Sequence, residues 1–176
     1  DSVAIAGQML VGVQLGAGNR NEARRITRIT LQAGLGLGAI VGVVFLGAGL
    51  VIPEWFSTDP GIQRLTTIGM VVTGLALSLQ GWMWGADGIL IGAGDFTYLA
   101  WTCSAVTGVY LALLAGLAFI LAPRLDDVAV AYGFLWLAFD LGLMGGRALT
   151  NGLRIRTDAW MPPSLQTSAS LAVSGR

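Results

Sequence analysis

The chain lacks histidine and lysine entirely, and its one cysteine is Cys103. A zinc site of the Cys/His type and a disulfide framework each need several of these residues, so neither is expected, and we predict no bound metal and no cofactor. Charged residues make up only 11% of the 176 residues, whereas an ordinary soluble domain carries about 25%. So little charge cannot cover a surface that faces water.

The few charges balance to a formal net charge of zero, which gives no reason to expect nucleic acid as a partner. Apolar residues account for 55% of the chain, and 26 residues are glycine. Glycine is unfavourable in water-exposed helices but is common in membrane helices, where it lets backbones approach closely. The composition therefore indicates an integral membrane protein whose main partner is the lipid bilayer.

Four segments are apolar over the length of about 20 residues that a helix needs to cross a bilayer; they are 29–52, 65–91, 99–121 and 128–150. Segment 1–16 is apolar but slightly short, and we predict that it is part of a fifth span. The runs do not alternate apolar and polar residues as barrel strands do. The predicted fold is an all-α membrane bundle of four complete transmembrane helices plus part of a fifth.

The ends of the chain do not resemble complete elements of structure. The sequence opens at Asp1 within an apolar stretch that has no basic leader. We therefore expect a fragment in which 1–157 forms a partial helical bundle. Residues 158–176 are rich in serine and show little periodicity, so they are predicted to be a disordered cytoplasmic tail.

Arginine placement predicts the orientation, because cytoplasmic loops collect positive charge. The arginines cluster on the first connection and at the carboxy-terminal end, at Arg20, Arg24, Arg25, Arg28, Arg147, Arg154 and Arg156. An alternating topology puts both clusters on one side of the membrane. The prediction is a multi-pass protein of a bacterial inner membrane with a cytoplasmic carboxy terminus.

Three ionisable residues lie inside predicted spans, where a charge costs at least about 2.5–3.5 kcal/mol; they are Asp87, Asp140 and Arg147. Asp87 and Arg147 lie at similar depths, so they could form a structural ion pair, although Asp87 is also a transport candidate. Asp140 lies near the middle of its span without a cation at that depth. It needs a partner, a water-filled cavity or a proton.

Polar and aromatic side chains share helical faces with these charges. Gln80 and Trp84 lie on the face of Asp87, and Trp136 lies on the face of Asp140. These faces either line an aqueous pathway or pack helices together. The transport-pathway candidates are Gln80, Trp84, Asp87, Trp136, Asp140 and Arg147.

Enzyme signatures are weak in this sequence. The Gly-x-Gly patterns lie within a predicted span and lack the strand, turn and helix of a nucleotide-binding loop. Asp87-Gly88 followed by Asp95 only partly matches the carboxylate motif of membrane phosphatidyltransferases. We therefore predict that the chain has no catalytic residues and is not an enzyme.

The order and spacing of several motifs resemble the carboxy-terminal half of multidrug and toxic compound extrusion (MATE) transporters of the DinF-like branch. The matching stretches are 1–8, 11–12, 15–19, 22–25, 56–60, 87–95 and 136–147. The resemblance implies one lobe of a twelve-helix antiporter that expels organic cations or other amphipathic compounds. The partners that it implies are these small molecules, a coupling proton or sodium ion, and the missing amino-terminal half of the same protein.

The resemblance also bears on the coupling ion. In the sodium-coupled branch a carboxylate on the tenth helix helps to bind the cation, and Gln80 occupies that position here. This difference favours proton coupling. Two alternatives stay open, namely a lipid-linked precursor flippase of the same superfamily and a membrane scaffold that transports nothing.

Overall fold

The structure, a computed structural model, describes residues 1–161, and all regular secondary structure in this part is helical. The α-helices are α1 (Ser2–Gly16), α2 (Arg20–Ala48), α3 (Ile52–Phe56), α4 (Pro60–Gly92), α5 (Phe96–Gly116), α6 (Val128–Leu137) and α7 (Gly146–Arg156). Helix α5 continues as a π-helical turn, Leu117–Leu121, and a 3-10 turn, Ala122–Arg124. A π-helical segment, Ala138–Gly145, joins α6 to α7.

Four helical stretches of the described chain are long and apolar enough to cross a membrane. They are Arg20–Ala48, Pro60–Gly92, Phe96–Arg124 and Val128–Arg156. Each has 29 or 33 residues, against the approximately 20 that a bilayer requires. Helix α1 is apolar but has only 15 residues. The prediction of an all-α membrane bundle is confirmed.

Helix α2 begins earlier in the chain than the sequence predicted. The span was predicted from residue 29, but α2 begins at Arg20 and includes the arginine-rich segment. Arginine, alanine and glutamate all favour helix, so the charged segment extends the rod beyond its apolar part. The arginine-rich segment therefore belongs to the same helix as the span.

Glycine closes two of the helices. Gly18 after α1 and Gly94 after α4 have φ angles of 77° and 76°, a left-handed conformation that favours glycine. The side chains that precede the two following helices do not cap them. The amide Nδ2 of Asn19 donates to Gln14 instead of capping α2, and the carboxylate of Asp95 accepts from Arg154 instead of capping α5.

Helices α2 and α4 pack through a seam of glycines that we call the glycine seam, comprising Gly34, Gly38 and Gly42 on α2 with Gly74 and Gly81 on α4. A Cβ atom added to Gly42 would lie 2.5 Å from the carbonyl oxygen of Gly74, and one added to Gly38 would lie 2.9 Å from the Cα of Ser78. Backbones this close leave no room for a side chain. The three glycines of α2 recur every fourth residue and form one stripe.

At the end of the bundle where α6 starts, Asp127 acts as the cap. Its carboxylate accepts from the backbone N–H of Ala129 at 2.8 Å and from Arg64 of α4 at 2.7 Å. The backbone hydrogen bond, with the Arg64 interaction, lowers the pKa of Asp127 from its usual value. This ion pair fixes the start of the last helix against α4.

At the opposite end, the turn after α7 packs onto the bundle. Trp160 and Met161 are buried together with Val11, Ile89 and Leu90. The turn is also held by polar contacts, since Arg20 donates to the carbonyl of Met161 at 2.8 Å and Arg24 pairs with Asp158. Residues 158–161 of the predicted tail are thus described and packed, and the remainder, 162–176, lies outside the described residues.

Most of the lateral surface of the bundle is apolar. Helix α5 buries none of its residues, and Trp55 and Trp101 are 79% and 74% exposed. Trp160, by contrast, is only 2% exposed. The exposed apolar belt suits contact with lipid chains, where exposed leucine, valine and phenylalanine carry no penalty.

Candidate functional site

The polar residues of α4 face those of the last helix along one shared interface. The two helices run parallel, and the partner in the last helix follows its α4 residue by 60 positions in both central pairs, Gln80 with Asp140 and Asp87 with Arg147. Parallel packing is the consequence of the alternating topology, because one span separates the two. We call this contact the polar interface.

The first pair at the polar interface is the ion pair of Asp87 and Arg147 that depth matching predicted. Asp87 is 5% exposed. One of its carboxylate oxygens accepts from the guanidinium of Arg147, and the other accepts from the Nδ2 of Asn151 at 2.7 Å. The guanidinium of Arg147 also lies 5.8 Å from the ring centroid of Trp84, within range of a cation–π interaction. Both charges are therefore compensated, which fits a structural role.

The second pair joins Asp140 to Gln80. Asp140 lies in the π-helical segment and is 1% exposed, and its Oδ1 accepts from the Nε2 of Gln80 at 2.6 Å. Its Oδ2 is buried and has no hydrogen-bond partner within residues 1–161. A buried carboxyl with a free oxygen and no cation is unfavourable as an anion. Asp140 is thus the incompletely satisfied acid of the polar interface.

Gln80 connects this buried acid to an open cleft. The cleft has a volume of about 200 Å³ between α1, α2 and α4, and Gln80 and Trp84 line it together with Leu37 and Leu77. Trp84 is 42% exposed. A solute in this cleft would lie beside Gln80 and Trp84. Gln80 in turn donates a hydrogen bond to Asp140. We call it the glutamine cleft.

Trp136 lies apart from the other candidates. It lines a different cleft, of about 240 Å³, together with Thr73 and Tyr132. Its ring makes edge-to-face contacts with Tyr132 and Phe139 at centroid distances of 6.2 and 6.1 Å. The structure brings Gln80 and Asp140 together and groups Trp84 with Asp87 and Arg147. It places Trp136 with aromatic neighbours instead.

Sequence reasoning missed two polar partners. Asn151 shares a helical face with Arg147 in the sequence, but its hydrogen bond to Asp87 required the register of two helices. Arg154 binds Asp95 through Nε and one terminal nitrogen at 2.7 and 3.2 Å, and lies 4.7 Å from the ring centroid of Tyr98. A signal was available in the spacing, since Arg147 follows Asp87 by 60 positions and Arg154 follows Asp95 by 59.

The fold and the polar interface together define the class of protein. Four candidate spans, an apolar belt and buried polar pairs between parallel helices make the chain a multi-pass membrane protein. Ionisable groups inside such a bundle are rare and costly, and they commonly mark solute or ion pathways.

Comparison with known proteins points to transporters. The chain is 27% identical to Protein DETOXIFICATION 43 of Arabidopsis thaliana over 159 residues, which cover 89% of this chain and 28% of the relative. It is 29% identical to Protein DETOXIFICATION 42 of the same plant over 159 residues, with the same coverage. It is 28% identical to Multidrug and toxin extrusion protein 1 of Xenopus tropicalis over 134 residues, covering 76% of this chain and 23% of that protein.

The chain therefore spans about a quarter of the length of the curated relatives that it matches. No family model matches it. No solved structure matches it either. The named relatives support the resemblance to the multidrug and toxic compound extrusion family.

Proposed function

We propose that this chain is part of one lobe of a secondary active efflux transporter that exchanges organic cations or other amphipathic compounds for protons. The related detoxification and extrusion proteins support the transporter class. The observation that carries the proposal is Asp140, an acid near the middle of a 29-residue helical stretch, joined through Gln80 to the glutamine cleft.

The proposed coupling step is a competition between a proton and a cationic solute. With a proton on Asp140, the buried carboxyl is neutral and stable in the bundle. Loss of the proton leaves a charge at mid-membrane that a cation in the glutamine cleft would stabilise. The indole of Trp84 offers such a cation a flat ring face. Proton and solute therefore exclude each other, as antiport requires.

A proton suits this acid better than a sodium ion does. A hard cation needs several oxygen ligands around it, whereas a proton needs only one basic oxygen. The hydrogen bond that Asp140 makes comes from an N–H donor of Gln80, and an amide in that orientation turns its nitrogen toward the acid. The N–H group that Gln80 directs at Asp140 thus supports a proton as the coupling ion.

Several finer assignments belong to the same proposal. The chain is part of the carboxy-terminal lobe of a MATE transporter of the DinF-like branch and works with an amino-terminal half. It lies in the inner membrane of a bacterium with its carboxy terminus in the cytoplasm. The arginine clusters support this orientation, since Arg20, Arg24 and Arg154 lie at the same end of the bundle. No catalytic chemistry is proposed.

The test uses the full-length protein in everted membrane vesicles with a fluorescent cationic dye. Wild-type vesicles should accumulate dye when a proton gradient is imposed, and Asp140→Asn should abolish accumulation because it cannot release a proton. Asp126→Asn, which removes an acid from the exposed turn before α6, is the matched control and should transport normally.

Two outcomes would contradict the proposal. No gradient-driven accumulation by the wild-type protein would exclude the transporter function. Normal accumulation by Asp140→Asn would remove Asp140 from the coupling step, while leaving the transporter class in place.

A further inference from the structure

A second cleft lies outside the polar interface, at the arginine-rich end of the bundle. Its volume is about 380 Å³, and we call it the arginine cleft. It lies between the first turns of α2, the side of α4 and the end of α7. Its lining includes Arg24, Arg28, Leu31, Leu35, Trp82 and Trp160.

The arginine cleft carries positive charge that the described protein does not fully neutralise. Arg24 and Arg28 are four residues apart and lie on one face of α2. Arg24 pairs with Asp158, whereas the exposed side chain of Arg28 makes no ion pair with any residue from 1 to 161. The sequence 162–176 contains no acidic side chain that could supply the missing charge. An external anion would complement Arg28.

The polarity of the arginine cleft changes along the helix axis. Leu31 and Leu35 follow Arg28 on the same helix face, about 5 and 10 Å closer to the middle of the span at 1.5 Å per residue. Trp82 of α4 and Trp160 add two indole rings to the lining of the cleft. The cleft is therefore cationic at the membrane surface and apolar toward the interior. An amphipathic anion matches this gradient better than a soluble one.

We propose that the arginine cleft binds an anionic phospholipid of the adjacent leaflet. Its phosphate would contact Arg28 and Arg24, and an acyl chain would lie along Leu31 and Leu35. Basic pockets between membrane helices bind acidic lipid headgroups through this combination of charge and apolar wall. The bound lipid would link α2 to the turn that follows α7. This site is independent of the transport proposal, because it shares no residue with the polar interface.

Native mass spectrometry of the purified full-length protein in detergent tests the proposal. The protein is titrated with phosphatidylglycerol or phosphatidylcholine of identical acyl chains. Wild type should retain phosphatidylglycerol preferentially. Arg28→Gln should weaken that binding about fivefold, the effect of one interfacial arginine, and Arg28→Lys should keep most of it.

Arg25→Gln is the matched control, because it removes the same charge from the same helix. Arg25 is absent from the arginine cleft and pairs with Glu22 at 2.9 Å. Unchanged lipid binding in Arg25→Gln supports a specific site. Equal weakening in both variants, equal retention of the two lipids by wild type, or displacement of the lipid by inorganic phosphate alone would each overturn the proposal.

Discussion

At the scale of single residues, the two buried acids between α4 and the last helix differ in how completely they are paired. Asp87 has a guanidinium and an amide as partners, whereas Asp140 has one amide and a free oxygen. Seven residues, or about 10 Å along a helix, separate the two levels. Asp87 therefore suits a structural role, whereas the proposed mechanism uses Asp140 as the acid that exchanges its proton.

The pairing of Asp87 predicts a strong non-additive effect of mutation. Arg147→Gln leaves a buried carboxylate with Asn151 alone and should destabilise the protein by about 3–5 kcal/mol, the cost of breaking a buried ion pair from one side. The double variant Asp87→Asn/Arg147→Gln removes both charges and should recover most of that loss. Unfolding in SDS, followed by circular dichroism, measures both.

Arg156→Gln controls for the loss of an arginine at the same end of the bundle, since its side chain is exposed. It should unfold like wild type. If the effects of Asp87→Asn and Arg147→Gln simply add, the two side chains are not coupled and the ion pair does not hold the helices together.

The sequence was sufficient to pair Asp87 with Arg147, because depth along a span follows from counting residues. It was not sufficient to pair Gln80 with Asp140, since either residue could have faced lipid or another helix until α4 and the last helix were placed side by side. It was also not sufficient to pair Asp95 with Arg154, which lies 59 positions away along the chain.

At the scale of helices, the glycine seam determines how closely α2 and α4 approach. Gly38→Ala should lower the stability of the bundle by about 1–3 kcal/mol, the usual cost of overpacking, because its Cβ would lie 2.9 Å from the backbone of Ser78. Gly36→Ala is the matched control on the same helix, since a Cβ there meets nothing within 4 Å.

Gly36→Ala should be neutral or stabilising, because alanine is favoured over glycine in helices by about 1 kcal/mol. Thermal unfolding of both variants in the same detergent compares them directly. Equal unfolding temperatures for Gly38→Ala and Gly36→Ala would show that the seam is not closely packed in the protein.

The cap of α6 predicts a pH dependence at one end of the bundle. The pKa of Asp127 is lower in the folded protein than in an unfolded chain, where it is about 3.9. The contribution of Asp127 to stability is therefore complete above that unfolded value and is lost as the pH falls through the folded value. Stability measured between pH 3 and 6 should fall more steeply on acidification in wild type than in Asp127→Asn, and Asp126→Asn should follow wild type.

The number and type of helices were predictable from the sequence, whereas their irregularities were not. Long apolar runs and polar turns predicted the four spans. The segment 128–150 was predicted as one regular helix, but the structure has a π-helical segment, Ala138–Gly145, around Asp140. A π-helical turn changes neither the composition nor the hydropathy of a segment, so the sequence pattern does not predict it. Such turns are frequent at functional sites.

At the scale of the whole molecule, both arginine-rich ends belong to one side of the bundle. After Cys103→Ser, single cysteines at Asn21 and Thr157 should react with an impermeant reagent only from the cytoplasmic side. A cysteine at Ser57 should react only from the opposite side. Labelling of Asn21 and Thr157 from different sides would contradict the topology.

The whole bundle also places the candidate site where a second lobe could complete it. The glutamine cleft is bounded by α1, α2 and α4 and is open, and the chain covers only about a quarter of its curated relatives. Under the proposed function, further helices of the full-length protein would enclose the cleft, so transport is expected from the full-length protein.

The most direct measurement of the coupling proposal is proton release when substrate binds to the purified full-length protein. A cationic substrate is added in weakly buffered detergent solution while a pH indicator reports free protons. We predict release by wild type and by Asp126→Asn, and substrate binding without release by Asp140→Asn. Proton release from Asp140→Asn equal to that of wild type would contradict the assignment of the coupling proton to Asp140.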